Sequence, residues 1–177
     1  MNNRKKKIDV KSIALMGLLI ALEIILSRFL SIAAWNLKIG FSFIPIVIAA
    51  ILLGPIEAAL VGAIADLLGA VLFPIGAYFP GFTLTQFIVG LVFGLLLYKK
   101  VSMVRIVIAA AINNFICSML LSTLWISVLY GSPFLGLLPT RAAQAGVMFV
   151  VQIITIAILQ EALLKRVKFI FNPAVAE

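Results

Sequence analysis

Long apolar runs, separated by short clusters of breakers and charges, organise this chain. Uninterrupted hydrophobicity marks a first span at about Ser12 to Ser31. At 1.5 Å per residue its length is about 30 Å of helix, the thickness of a bilayer's hydrocarbon core. A second run, Ser42 to Leu53, is short, carries Pro45 and ends at Gly54-Pro55, a helix-stopping pair. Further spans are predicted over Ile56 to Phe73, Thr83 to Tyr98, Val104 to Leu129 and Thr140 to Leu164. The pattern predicts an all-α membrane protein of six transmembrane helices in one integral membrane domain, 1–177. The second run also suits a re-entrant segment.

Composition agrees with this pattern. Of 177 residues, 64% are hydrophobic and 11% charged, and mean hydropathy is +1.26. Soluble domains run at about 45–50% apolar and about 25% charged, and a chain this short cannot bury so much apolar surface in water. The net charge of +8 is distributed as an orientation signal. Arg4, Lys5, Lys6, Lys7, Lys11, Lys99, Lys100, Arg105, Lys165, Arg166 and Lys168 fall on one side of six spans, and only Arg28, Lys38 and Arg141 on the other. The positive-inside rule makes both termini, including the basic stretch 1–11, cytoplasmic. It also leaves no call for a nucleic-acid partner. The basic start and apolar run resemble a signal peptide, with a cleavage-like Ser31-Ile32-Ala33-Ala34, but the run is long and further spans follow it.

On the predicted outer face lie "SIAAWNLKIG" (31–40), the elbow "FPIGAYFPGFTLTQ" (73–86) and "YGSPFLGLLP" (130–139). Their Trp, Tyr, Phe, Pro and Gly content suits pre-shaped lids. An interfacial aromatic belt is the other reading, though it does not explain why prolines cluster with the aromatics on one face. Beneath them the spans carry costly polar groups, about 2.5–3.5 kcal/mol for each charge at mid-span. Asp66 sits below the elbow. Asn114, Ser118 and Ser122 repeat every four residues with Trp125 close to their face, and Arg141, Gln144, Met148 and Gln152 form a second helical stripe. For Glu23, Asn113 and Gln152, hydrogen bonding between helices is explanation enough. Arg28, Lys38, Asp66 and Arg141 gather at one mouth and suit an anionic ligand with a polar ring system.

Some chemistries are excluded by what is missing. The chain has no histidine and a single cysteine, Cys117, so Ser-His and Cys-His pairs and an internal disulfide are impossible. No phosphate-binding loop is present, so transport driven by ATP needs another subunit. Neither an enzyme nor a metal protein is expected.

The segments "SRFLSIAAWNLKIGFSFIPIVIAAILLGP", "GAIADLLG" and "AYFPGFTLTQ" resemble those of the folate-specific substrate-binding (S) components of energy-coupling-factor (ECF) vitamin transporters. The likeness extends from about Lys11 to Arg166. It implies a multi-pass subunit of a bacterial cell membrane that captures folate or reduced folates, needs no cofactor, and works with a membrane coupling (T) subunit and two cytoplasmic ATPases. It implies ligand contacts from Arg28, Trp35, Lys38, Asp66, Tyr78, Phe79, Phe82, Thr83, Gln86, Asn114, Ser118, Trp125, Arg141 and Gln144. The elbow becomes a gate, and the small residues Ala14, Gly17 and Ala21 a docking face for the coupling subunit. S components for thiamine, riboflavin or a queuosine precursor are the alternatives, their ligands being less acidic. A membrane enzyme or a structural scaffold stands further off.

Overall fold

A computed structural model describes residues 10–34 and 37–171. Its helices are α1 (Val10–Arg28), α2 (Phe43–Leu52), α3 (Pro55–Leu72), α4 (Pro80–Leu97), α5 (Met103–Tyr130) and α6 (Phe134–Phe171). A two-stranded antiparallel hairpin, β1 (Ile32–Ala34) and β2 (Leu37–Ile39), joins α1 to α2, with Ala33 opposite Lys38. Among the described residues five helices are long and apolar enough to cross a membrane, while α2 is a shorter apolar helix. At 1.5 Å per residue α2 is about 15 Å long, half the hydrocarbon thickness, in keeping with its short run in the sequence, and the hairpin is an element the sequence pattern does not indicate.

Burial is inverted relative to a soluble bundle. Helix α1 buries only Leu19, Glu23 and Ser27, one stripe at i, i+4, i+8, whereas Val10, Ile13 and Leu18 are exposed. Lipid solvates those outer faces, so apolarity there costs nothing, and packing between helices depends on shape. Helix α2 lies at the centre, burying Phe43, Pro45, Ile46, Val47, Ala49 and Ala50. It ends at Gly54, whose φ of 127° disfavours any L side chain, and Pro55 opens α3, where its missing N–H is harmless.

Helices α3 and α4 approach closely along glycines. A Cβ on Gly62 would lie 2.7 Å from the Gln86 carbonyl oxygen, and one on Gly90 or Gly94 would overlap Ala58 or Pro55. The GxxxG pair of α4 therefore serves internal packing. At the end away from the hairpin, Arg105 Nη1 donates to the Leu96 and Lys100 carbonyls at 3.3 and 3.4 Å, closing the α4–α5 turn.

Two further boundaries and one helix geometry differ from the sequence pattern. Helix α4 begins at Pro80, so the non-helical elbow shrinks to the stretch between Leu72 and Pro80. Helix α6 begins at Phe134 and runs through Pro139, so much of "YGSPFLGLLP" is helical. Within α5, Ile112–Leu121 is π-helical, a form frequent at functional sites.

Candidate functional site

Successive helices alternate in direction, which brings the C-terminal ends of α1, α3 and α5 together with the N-terminal ends of α2, α4 and α6. A cavity of about 370 Å³ opens there, within the range of small-molecule sites of about 300–1,000 Å³. Helix α1 contributes Arg28. Helix α2 adds Phe43 and Ile46, with Ser42 just before its first turn, and α3 adds Asp66 and Ala70. The elbow supplies Ile75, Gly76, Ala77 and Tyr78, and α4 supplies Phe82, Thr85, Gln86 and Val89. The far wall is Asn113, Asn114, Cys117, Ser118, Ser122, Ile126 and Tyr130 of α5, with Arg141, Gln144, Met148 and Gln152 of α6.

Two guanidinium groups stand out. The Nε atoms of Arg28 and Arg141 are both buried without a hydrogen-bond partner among the described residues. Arg141 is 6% exposed and donates from Nη1 to Gln144 Oε1 at 3.3 Å. Arg28 lies across Gly69, where a Cβ would come within 2.9 Å of its Nε. Buried guanidinium groups whose Nε donors are unused among the described residues can receive an anion.

Asp66 is held by neighbours. Thr83 Oγ1 donates to Asp66 Oδ2 at 2.8 Å, and the Tyr78 hydroxyl lies 3.3 Å from Thr83 Oγ1. One chain of hydrogen bonds thus ties the elbow to α4 and α3. A second tie runs behind the elbow: Trp125 Nε1 donates to Thr85 Oγ1 at 2.9 Å, and Thr85 Oγ1 donates to the Gly81 carbonyl at 2.9 Å. The Trp125 ring packs 5.6 Å from Phe79, which in turn meets Phe82 at 6.4 Å.

The cavity floor consists of side-chain amides. Gln152 Oε1 accepts from Asn113 Nδ2 at 3.1 Å and from Asn114 Nδ2 at 2.8 Å, and Asn114 Nδ2 also donates to the Ala110 carbonyl at 2.8 Å. Neighbouring asparagines share this wall because the i→i+5 turn of a π-helix carries more residues per turn than an α-helix.

Of the residues expected to touch ligand, the cavity gathers Arg28, Asp66, Tyr78, Phe82, Gln86, Asn114, Ser118, Arg141 and Gln144. Phe79, Thr83 and Trp125 stand behind this wall and support it. Trp35 and the Lys38 side chain lie outside the described residues. For Asn113 and Gln152 the sequence favours interhelical hydrogen bonding; they do bond across α5 and α6, and they line the cavity as well. Met148, Gln152 and Ser122 continue stripes already visible in sequence. Phe43 and Ile46 gave no signal, because a ligand-facing apolar residue reads like a core or lipid-facing one. On α1, Ala14, Gly17 and Ala21 are exposed, and a Cβ on Gly17 would meet nothing within 4 Å.

A helical membrane bundle with a half-open cavity of mixed polar and apolar lining at one end has the form of a small-molecule-binding membrane subunit. Residues 11–171 match the family described as "ECF transporter, substrate-specific component", and the chain belongs to that family. It is 40% identical over 152 residues to the folate transporter FolT of Clostridium novyi (strain NT), covering 85% of this chain and 87% of that one. It is 30% identical over 154 residues to the folate transporter FolT of Leuconostoc mesenteroides, with 83% of each chain covered. Among solved structures, the crystal structure of FolT bound with folic acid superposes with a TM-score of 0.81 at 36% identity. That match covers 85% of this chain and 93% of the other.

Proposed function

We propose that this chain is the folate-binding S component of an ECF importer in a bacterial cell membrane. It takes folate or reduced folates from the outer face into the cavity beneath the elbow. The observation that carries the reading is the pair of arginines, Arg28 and Arg141, each lining one cavity with a buried Nε that has no partner among the described residues. Folate has two carboxylates on its glutamate, a central aromatic ring and a hydrogen-bonding pterin. The cavity offers cations for the first, Tyr78 and Phe82 for the second, and Asp66 with the floor amides for the third.

The basic residues Lys11, Lys99, Lys100 and Arg105 lie at the opposite end of the bundle, which supports a cavity that opens outward and termini that face the cytoplasm. With no phosphate-binding loop of its own, the chain works with a membrane coupling subunit and two ATPases, and Ala14, Gly17 and Ala21 form the α1 face that meets the coupling subunit. The test is calorimetry on detergent-solubilised protein with folic acid and with pteroate, which lacks the glutamate. Folic acid should bind more tightly than pteroate. Absence of folate binding, or tighter binding of thiamine or riboflavin, would assign the subunit to another vitamin.

A further inference from the structure

Backbone keeps Gly62, Gly90 and Gly94 small, since a Cβ there would strike the Gln86 carbonyl, Ala58 or Pro55. Gly69 of α3 is different. The three atoms nearest to a Cβ at 69 are Nε, Nη2 and Cζ of Arg28, at 2.9, 3.3 and 3.5 Å. All three belong to the guanidinium, the far end of a flexible side chain. Glycine inside a helix is destabilising relative to alanine, and no positive φ calls for it here, because the positive-φ glycines are Gly54 and Gly131. What the missing side chain provides is a shelf on α3 for the guanidinium. Phe29, the next residue of the chain, meets Phe73 at the end of α3 edge-on, with ring centroids 5.2 Å apart, so α1 is held to α3 beside the shelf. Asp66 lies one turn before Gly69, about 4.5 Å along the axis, and lines the cavity as Arg28 does.

Resting on the folate reading above, we propose that Gly69 is a positioning residue, which by offering no side chain seats the Arg28 guanidinium flat against α3 at the cavity wall. An ordinary contact begins at 3.4 Å, so a methyl group at 69 would push the guanidinium away by at least about 0.5 Å. Charge-assisted hydrogen bonds are short, about 2.7–2.9 Å, and a cation displaced by that much no longer meets a ligand carboxylate as it did. The atoms that yield are those of a side chain, so α3 itself stays in place. The effect of the methyl group is therefore on ligand contact and not on the fold.

The test is calorimetry with folic acid and with pteroate on the wild type, Gly69→Ala, Arg28→Met and the double variant Gly69→Ala/Arg28→Met. Gly69→Ala should raise the Kd of folic acid about tenfold or more, the loss of one charge-assisted bond, and leave that of pteroate within about threefold of wild type. Arg28→Met should weaken folic acid similarly. Adding Gly69→Ala to it should change the Kd by less than about threefold, because the methyl group then has no guanidinium to displace. If Gly69→Ala alone does not fold, the double variant decides: it folds when the guanidinium is what the methyl group meets. Unchanged folic acid affinity in Gly69→Ala, equal losses for the two ligands, additive losses in the double variant, or a double variant that does not fold overturns the proposal. A wild type that binds no folic acid overturns the folate reading, and the proposal with it.

Discussion

Replacing Arg141 by Met should raise the stability of the empty protein while weakening its hold on folate. Arg141 is buried and has no anionic partner among the described residues, its one described bond going to Gln144 Oε1. A buried charge left in this state costs several kcal/mol of desolvation, and apolar replacement of buried ionic groups is neutral or stabilising by about 1–4 kcal/mol. Methionine keeps much of the side chain's volume and adapts to irregular gaps. Against this gain stands the loss of a charge-assisted bond to the ligand carboxylate, about 1.5–3 kcal/mol. At 1.36 kcal/mol per factor of ten, Kd for folic acid rises about 10- to 150-fold. Pteroate, which has no glutamate carboxylates, should change little. Thermal unfolding of the ligand-free protein in detergent reads the first effect, and calorimetry with both ligands reads the second. If stability and affinity fall together, or if both ligands lose equally, Arg141 is structural and the anion-site argument is wrong.

Gly94→Ala puts a methyl group into the Pro55 backbone and should cost about 1–3 kcal/mol by overpacking the α3–α4 seam. It would be seen as a lower Tm with folate affinity little changed at low temperature. Ala14→Trp or Ala21→Trp, on the exposed face of α1, should leave folate binding intact and abolish uptake in cells. A loss of binding would instead mark the stripe as internal. In Cys117→Ser carrying Ala77→Cys, maleimide should react with the elbow cysteine in empty protein and be blocked by saturating folate. Labelling that ignores folate would make the elbow an interfacial anchor only.

Much of the architecture is legible in the linear chain because membrane physics acts on composition. Every backbone group in a span must be bonded within its own helix, so long apolar runs are helices whatever surrounds them. Breakers such as Gly54-Pro55 stop them by local geometry alone. The polar stripe of Arg141, Gln144, Met148 and Gln152 was visible for the same reason: a charge or amide inside such a run is costly wherever it points. Which of these groups share a cavity depends on how far each helix is rotated and where it starts, and no local rule sets that. The hairpin before α2 and the extension of α6 through Pro139 reflect packing against neighbours. The π-helical stretch of α5 is the clearest case. "INNFICSMLL" reads as an ordinary helix, and only its packing against α6 brings Asn113 and Asn114 together onto Gln152. Bonds between residues so distant in sequence exist only once the helices have docked, which is why the floor of the cavity could not be read from the chain.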